Sequence, residues 1–333
     1  MKSYLTKKKF LFSISILTVL LLAAIYFGLS HGSGSVDIFE ALLGGAGSDI
    51  LLGARLPRVL LAAIVGMALA SSGGAFQTLL KNPLADPFIL GVSGGAALGS
   101  IAALGFRLPF AWISGAAFLG AMLSMIAIMW FSRVRSSFRS TELMLTGVIF
   151  NAFCFALILF INAMVTMEEA YQILFLLIGN LEEMGLGLVA ITAALVIPGL
   201  IILSLLARRM NILMLGDDEA RSVGVDPSRI RAAVFVCSSV MVGAAVAASG
   251  LIGFVGLFVP HIVRLTLGAD NRLLIPASGI AGAAFLVLAD TIARTILSNS
   301  DYATELPVGV ITALIGAPLF MILLRKNMGK SHA

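Results

Sequence analysis

The residues capable of chemistry are few. Three histidines (His31, His261 and His332) and two cysteines (Cys154 and Cys237) are scattered through 333 residues, too widely to argue for a metal site. No H-E-x-x-H pair occurs, and no G-x-x-x-x-G-K-[ST] loop, so the chain carries no phosphate loop of its own for ATP. It is therefore not expected to be an enzyme, and no cofactor is expected. The cysteines each fall inside an apolar run and read as packing residues, and their number rules out a disulfide framework. His261, in FVPHIVRL, reads more simply as a buried, hydrogen-bonded residue than as a ligand. Asp290, in LADTIART, is a functional candidate by default, because an ionised carboxylate inside an apolar run is expensive. Arg294 follows four residues later on the same helical face, however, so a structural ion pair is the stronger reading. Two more cations stand out. Arg55 and Arg58 straddle Pro57 at the mouth of ARLPRVLLAAIVGMALASSGG, in a chain only 12% charged.

Apolar runs must position all of these residues. Hydrophobic residues make up 59% of the chain, above the roughly 45–50% usual for soluble domains. A bilayer core about 30 Å thick needs roughly 20 apolar residues per helix, and ten runs follow one another: 10–30, 57–79, 89–106, 109–132, 141–166, 187–208, 229–249, 251–268, 273–297 and 306–326. The runs are continuous rather than alternating, which predicts helices and not barrel strands. The expected fold class is all-α, a polytopic membrane protein with about ten transmembrane helices. The run 251–268 is the weakest, because Pro260 and Arg264 interrupt it. The first run is too long for a signal-peptide core and no A-x-A site follows it, so a retained first helix is predicted. With the N-terminus inside and ten spans, eighteen of the 22 Lys and Arg residues fall on the inner side. Only Arg55, Arg58, Arg107 and Arg294 fall outside. That asymmetry predicts both termini in the cytoplasm and accounts for the net charge of +5 without a nucleic-acid partner.

No linker or low-complexity segment divides the chain, so one integral domain, 1–333, is expected. Gly91, Gly95 and Gly99, and likewise Gly279 and Ala283, recur at four-residue spacing, which predicts close helix approach. Pro198, Pro276 and Pro318 predict local bends. In KNPLADPFILG, Pro83 and Pro87 prevent a continuous helix, and Asn82 and Asp86 are placed to cap the pieces. The longest polar segment, RRMNILMLGDDEARSVGVDPSRIR (208–231), predicts a short helix, then Gly224, then a turn at Asp226-Pro227 before the next span. So short a helix is marginal alone and must lie against something. The residues by themselves leave open a solvated connector or a partner-docking element.

Four segments, in order along the chain, carry a family resemblance: RLPRVLLAAIVGMALASSGGAFQTLLKNPLADPFILGVSGGAALGS, LGDDEARSVGVD, GLIGFVGLFVPHIVRLTLGADNRLLIPASGIAGAAFLVLADTIART and ELPVGVITALIGAPLFMILL. Together they resemble the FecCD-type permeases, the membrane subunits of ABC importers for iron–siderophores, haem and cobalamin. The stretch LLIGNLEEMGLG (176–187) departs from the tryptophan-containing segment often found there. The resemblance implies ten helices per subunit and a second permease subunit, an identical copy being the expectation. It also implies two copies of an ABC ATPase, a soluble substrate-binding protein, and residence among the lipids of the bacterial cytoplasmic (inner) membrane. A coupling segment of about 211–228 would meet the ATPase through Gly216, Asp217, Asp218, Glu219, Ala220, Arg221, Val223 and Gly224. Arg55, Arg58 and Arg294 would form the permease side of a charge-matched docking interface, with Asp290 orienting Arg294. The competing reading is that Arg55 and Arg58 anchor a helix end at lipid headgroups. An ion-coupled secondary transporter, the main alternative, should show more intramembrane charges and an internal repeat. An intramembrane enzyme should show a convergent polar constellation. Neither feature is visible.

Overall fold

The computed structural model describes residues 5–32, 40–41, 43–45, 47–88, 90–134, 137–138, 140–181, 185–297 and 305–328. Helix α1 (Lys7–Ser30) is followed by a π-helical turn, Ile50–Arg55, that runs directly into α2 (Leu56–Leu79). Next come α3 (Val92–Gly105), α4 (Phe110–Phe131), α5 (Ser140–Asn162), α6 (Met167–Ile178) and α7 (Leu186–Leu213). The series closes with α8 (Asp217–Ser222), α9 (Pro227–Ser249), α10 (Val255–Leu267), α11 (Asn271–Thr295) and α12 (Val308–Met328). A two-residue antiparallel ladder between α4 and α5, Arg133–Val134 with Ser137–Phe138, is a small exception to the all-helical expectation. Each of the ten apolar runs holds one helix; among the described elements, α6 and α8 are additional. Lys2, Arg135, Arg139, Lys330 and His332 lie outside the described residues.

Among the described residues, seven helices are long and apolar enough to cross a bilayer. Helices α3 and α10 fall short, at 14 and 13 residues. In both cases irregular backbone precedes the helix, and such backbone is tolerated at membrane depth only where protein covers it. Before α3, Asn82 and Asp86 each accept from the amide two residues on (Leu84 and Phe88, both 2.9 Å), closing side-chain turns rather than capping helices. Gly91 then starts α3 at φ 83°, a left-handed conformation that suits glycine. Before α10, the Leu251 amide donates to the Leu176 carbonyl at 3.0 Å. Short irregular pieces complete the crossing where the helical pattern is weakest.

Helix α2 is the centre of the bundle, packed against α7, α9, α10 and α11. Its Ala, Gly and Ser side chains make this feasible, since small residues let transmembrane backbones approach. A β-carbon on Gly66 would strike the carbonyl of Gly282 in α11, and one on Gly282 would strike that of Gly66. Gly73 meets the carbonyl of Gly256 in α10 in the same way. Gly95 and Gly99 fulfil the spacing argument, against Gly120 and Ala116 of α4. Gly279 instead meets the side chains of Met67 and Leu200. Pro198, Pro276 and Pro318 lie inside helices as expected, joined by Pro260 in α10. Both cysteines are free.

Replacement of Gly66 by Val is expected to lower folded yield and thermal midpoint severely, because backbone and not a movable side chain occupies the space. Gly115→Ala, where nothing lies within 4 Å, should be neutral or stabilising by up to about 1 kcal/mol. Thermal unfolding of both variants in detergent checks the contrast.

Candidate functional site

Polar side chains gather at the two ends of the α2–α11 pair. At the Arg55 end, Asp290 is fully buried between two guanidiniums. Arg58 Nε donates to its Oδ1 at 3.1 Å, and Arg294 Nε lies 3.0 Å from its Oδ2. The second contact is an ion pair within one helix, between residues four apart. The Nη2 of Arg294 donates to the Gly28 carbonyl of α1 at 3.2 Å, and Nη1 of Arg55 donates to the Leu29 carbonyl at 3.0 Å. Arg58 Nη1 donates to Glu305 Oε2 at 2.6 Å; that carboxylate is 41% exposed, the accessible member of the group. The pair expected between Asp290 and Arg294 is present, and Arg58 shares it. Arg55, Arg58 and Arg294 were expected at an accessible rim. Instead they are only 4–6% exposed and tie α1, α2 and α11 together. Side chains so enclosed are not anchors in lipid headgroups.

The Asp217 end is organised around the short α8. Gly216 precedes it, and Gly224 follows at φ 79°. The Gly224 amide donates to the Arg221 carbonyl and the Val225 amide to that of Ala220, the two-bond stop that a left-handed glycine permits. Asp226 caps α9 by accepting from the Ser228 and Arg229 amides, and Pro227 takes the first helical position. Asp217 accepts a bidentate pair from the buried Arg231, with Nη1 to Oδ2 at 2.9 Å. These bonds hold the Asp217 carboxyl below its ordinary range. Leu215, Asp218, Glu219, Arg221, Val223 and Gly224 are exposed. Ala220 is not: it is fully buried and supports α8 from beneath, so it does not face a partner as expected.

Beside α8 lies a second buried group. Asn211 Nδ2 donates to Asp270 at 2.7 Å, and its Oδ1 accepts from both the amide and side chain of Asn271. Asn271 in turn accepts from the Thr78 hydroxyl at 2.8 Å. Bonds from Arg272, and then from Asn211, bring the Asp270 carboxyl to about 2.

Between the two ends, an apolar cleft of about 490 Å³ opens among Phe88, Ile178, Phe254, Gly309 and Val310. His261 is buried as expected, but its ring nitrogens meet no hydrogen-bond partner among the described residues. It packs edge-on against Phe320, with centroids 5.7 Å apart. Among the described residues no group of three or more His, Cys, Asp or Glu side chains is placed to hold a metal.

Residues 16–326 match the FecCD transport family. The chain belongs to that family of ABC-transporter permeases. It is 39% identical to the hemin transport system permease protein HmuU of Yersinia pestis, covering 85% of each chain. It is 41% identical to the cobalamin import system permease protein BtuC of Halobacterium salinarum, over 81% of this chain and 72% of that one. A metal-chelate type ABC transporter solved in an inward-facing conformation superposes with a TM-score of 0.85 and 31% identity, covering 95% of this chain and 99% of that one. For a FecCD permease, the polar groups that sequence reasoning missed are Glu305 at the Arg55 end and the Asn211–Asn271–Thr78 group at the other. No local spacing reports them, because their partners are distant in sequence.

Asp290→Asn would leave two buried guanidiniums without their shared carboxylate, and should cost about 3 kcal/mol or more. Glu305→Gln, at the exposed edge, should cost much less. Thermal midpoints of the purified variants test this ordering, and equal losses would contradict it. Because folding lowers the Asp217 carboxyl, its stabilisation is present above the unfolded value and is lost as pH falls through the folded one. The destabilisation by Asp217→Asn should therefore be constant from about pH 8 to pH 5 and shrink only below about pH 4. Melting curves across that range measure it.

Proposed function

We propose that this chain is the membrane permease of an ATP-driven importer for a metal chelate such as iron–siderophore, haem or cobalamin. It works by alternating access with two copies of an ABC ATPase, a soluble binding protein and a second permease subunit identical to it, in the bacterial inner membrane. The observation that carries the reading is the α8 segment. A six-residue helix has little stability of its own, yet this one is stopped by Gly224 and clamped by Arg231, and it leaves Leu215, Asp218, Arg221 and Val223 uncovered. Such a rigidly held polar and apolar knob suits the groove of an ATPase better than it suits a connector. The Lys and Arg asymmetry supports a cytoplasmic position for this end. The apolar cleft near Phe254 and Val310 suits a path that releases cargo, since it offers few groups to hold it.

The opposite end would then receive the binding protein. Among the described residues, three guanidiniums and two carboxylates gather there. With the arginines enclosed, their contribution to docking is through the field at that end, which acts on encounter rate and is screened by salt. Arg55→Gln is expected to slow association of the binding protein at low salt and to match wild type at high salt. An unaltered rate at low salt would place the docking surface elsewhere.

The carboxylate inside α11 does not suit the ion-coupled alternative, because Asp290 is committed to two arginines. In liposomes holding the assembled importer, uptake of the chelate should require ATP and survive an ionophore. Uptake abolished by the ionophore with ATP present would favour the secondary transporter.

A further inference from the structure

We infer that Asn271 is the positioning residue through which movement of the coupling segment reaches the transmembrane core, with Asn211 and Thr78 as its two partners. The inference rests on the coupling reading of residues 211–228. Helix α8 is short and marginal by itself, so the side chains that fasten its flanks bear on how a displacement is passed to the bundle. Asp217 fastens it to α9 through Arg231. The other route leads through the last turn of α7, where Asn211 and Met214 stand a few residues before α8.

Asn271 is completely buried at the first turn of α11. Its amide and its Nδ2 both donate to Asn211 Oδ1, at 2.9 and 2.8 Å, and Nδ2 also faces Met214 Sδ at 3.7 Å. Its Oδ1 lies 2.8 Å from the Thr78 hydroxyl on the last turn of α2, whose single proton is divided between that oxygen and the Gly74 carbonyl at 3.0 Å. Asn211 is itself oriented, because its Nδ2 donates to Asp270, whose carboxylate is clamped by Arg272. Both amides thus have their donor and acceptor sides assigned, and every member of the group has a hydrogen-bond partner. A satisfied buried network is stiff, and breaking any member leaves another unpaired at high cost. It therefore joins the end of α7, which leads directly into α8, to α11 and α2.

That connection extends to the far end of the protein. Helices α2 and α11 touch backbone to backbone at Gly66 and Gly282, and Asp290 clamps them near Arg58. A displacement received at Asn271 thus arrives at the binding-protein end without passing through a flexible loop. Removing the Asn271 bonds should leave both ends intact and separate them.

The test uses the full importer in liposomes, with Thr78→Val, which is nearly isosteric, beside Asn271→Leu. Both are expected to retain the ATPase, to cross-link to it through Val223→Cys, and to hydrolyse ATP at basal rates close to wild type. Cargo moved per ATP should fall about tenfold or more, within the usual range of coupling between sites. The double variant should be no worse than the more impaired single, because the two changes break one connection. Thr78→Ser, which restores the hydroxyl, should recover wild-type transport per ATP. If Asn271→Leu does not fold, Thr78→Val and Thr78→Ser decide the matter. Transport per ATP within about twofold of wild type in a folded Thr78→Val protein overturns the inference. Failure of Val223→Cys to cross-link in an otherwise wild-type chain would instead remove the coupling reading, so the two failures are distinguishable.

Discussion

Helices α2 and α11 lie so close at Gly66 and Gly282 that neither position admits a side chain, and the polar groups at both ends of the pair are arranged around that contact. Lipid tails compete with apolar side chains on equal terms, so helices in a membrane are held by close backbone packing and by polar groups that lipid cannot satisfy. The α2–α11 pair uses both. Small residues set the separation, and buried polar clusters fix the register at each end. The clusters differ in kind: charges shared around Asp290 at one end, neutral amides and a hydroxyl around Asn271 at the other.

This division suits a permease, which makes and breaks no covalent bond in its cargo. Its machinery consists of fixed geometry and of surfaces that receive other proteins. The Asp290 cluster also fastens α1 through carbonyls at Gly28 and Leu29, drawing a peripheral helix onto the central pair. At the other end, α8 is clamped to α9 through Asp217 and backed by the Asn271 group through α7. The Asp217 end and the Arg55 end are thus connected by the closely packed α2–α11 pair.

Much of this was legible in the amino-acid sequence, and the limits have physical causes. Ten apolar runs located ten helices because hydrophobic length is a local property. The Asp290–Arg294 pair was legible because four residues make one helical turn. The end of α8 at Gly224 and the start of α9 at Asp226-Pro227 follow from backbone preferences of those residue types. Arg58 as a second partner of Asp290 was not legible, and nor were Glu305 or the Thr78–Asn271 bond, since each joins residues far apart in the chain. Helix α6 left a signal that the neighbouring apolar run concealed: Thr166 and Glu169 form a reciprocal cap, the T-x-x-E pattern that opens a helix. Ala220 looked like one more member of an exposed segment, because six residues are too few to show which side faces inward. The burial of Arg55 and Arg58 escaped prediction for a related reason. Position at the mouth of a run does not say which neighbouring carbonyls and carboxylates wait there.

The claim that α2 and α11 move as a single body is tested most directly by fastening them together. A β-carbon on Gly74 would lie 3.6 Å from Ser278 Oγ, so cysteines at these two positions are within reach of a disulfide. The measurement is ATP-driven uptake by liposomes containing the Gly74→Cys, Ser278→Cys importer, oxidised and then reduced. Equal uptake in the two states is the expected result. Uptake lost on oxidation and regained on reduction would show that the helices must separate or slide during transport, and would contradict the account.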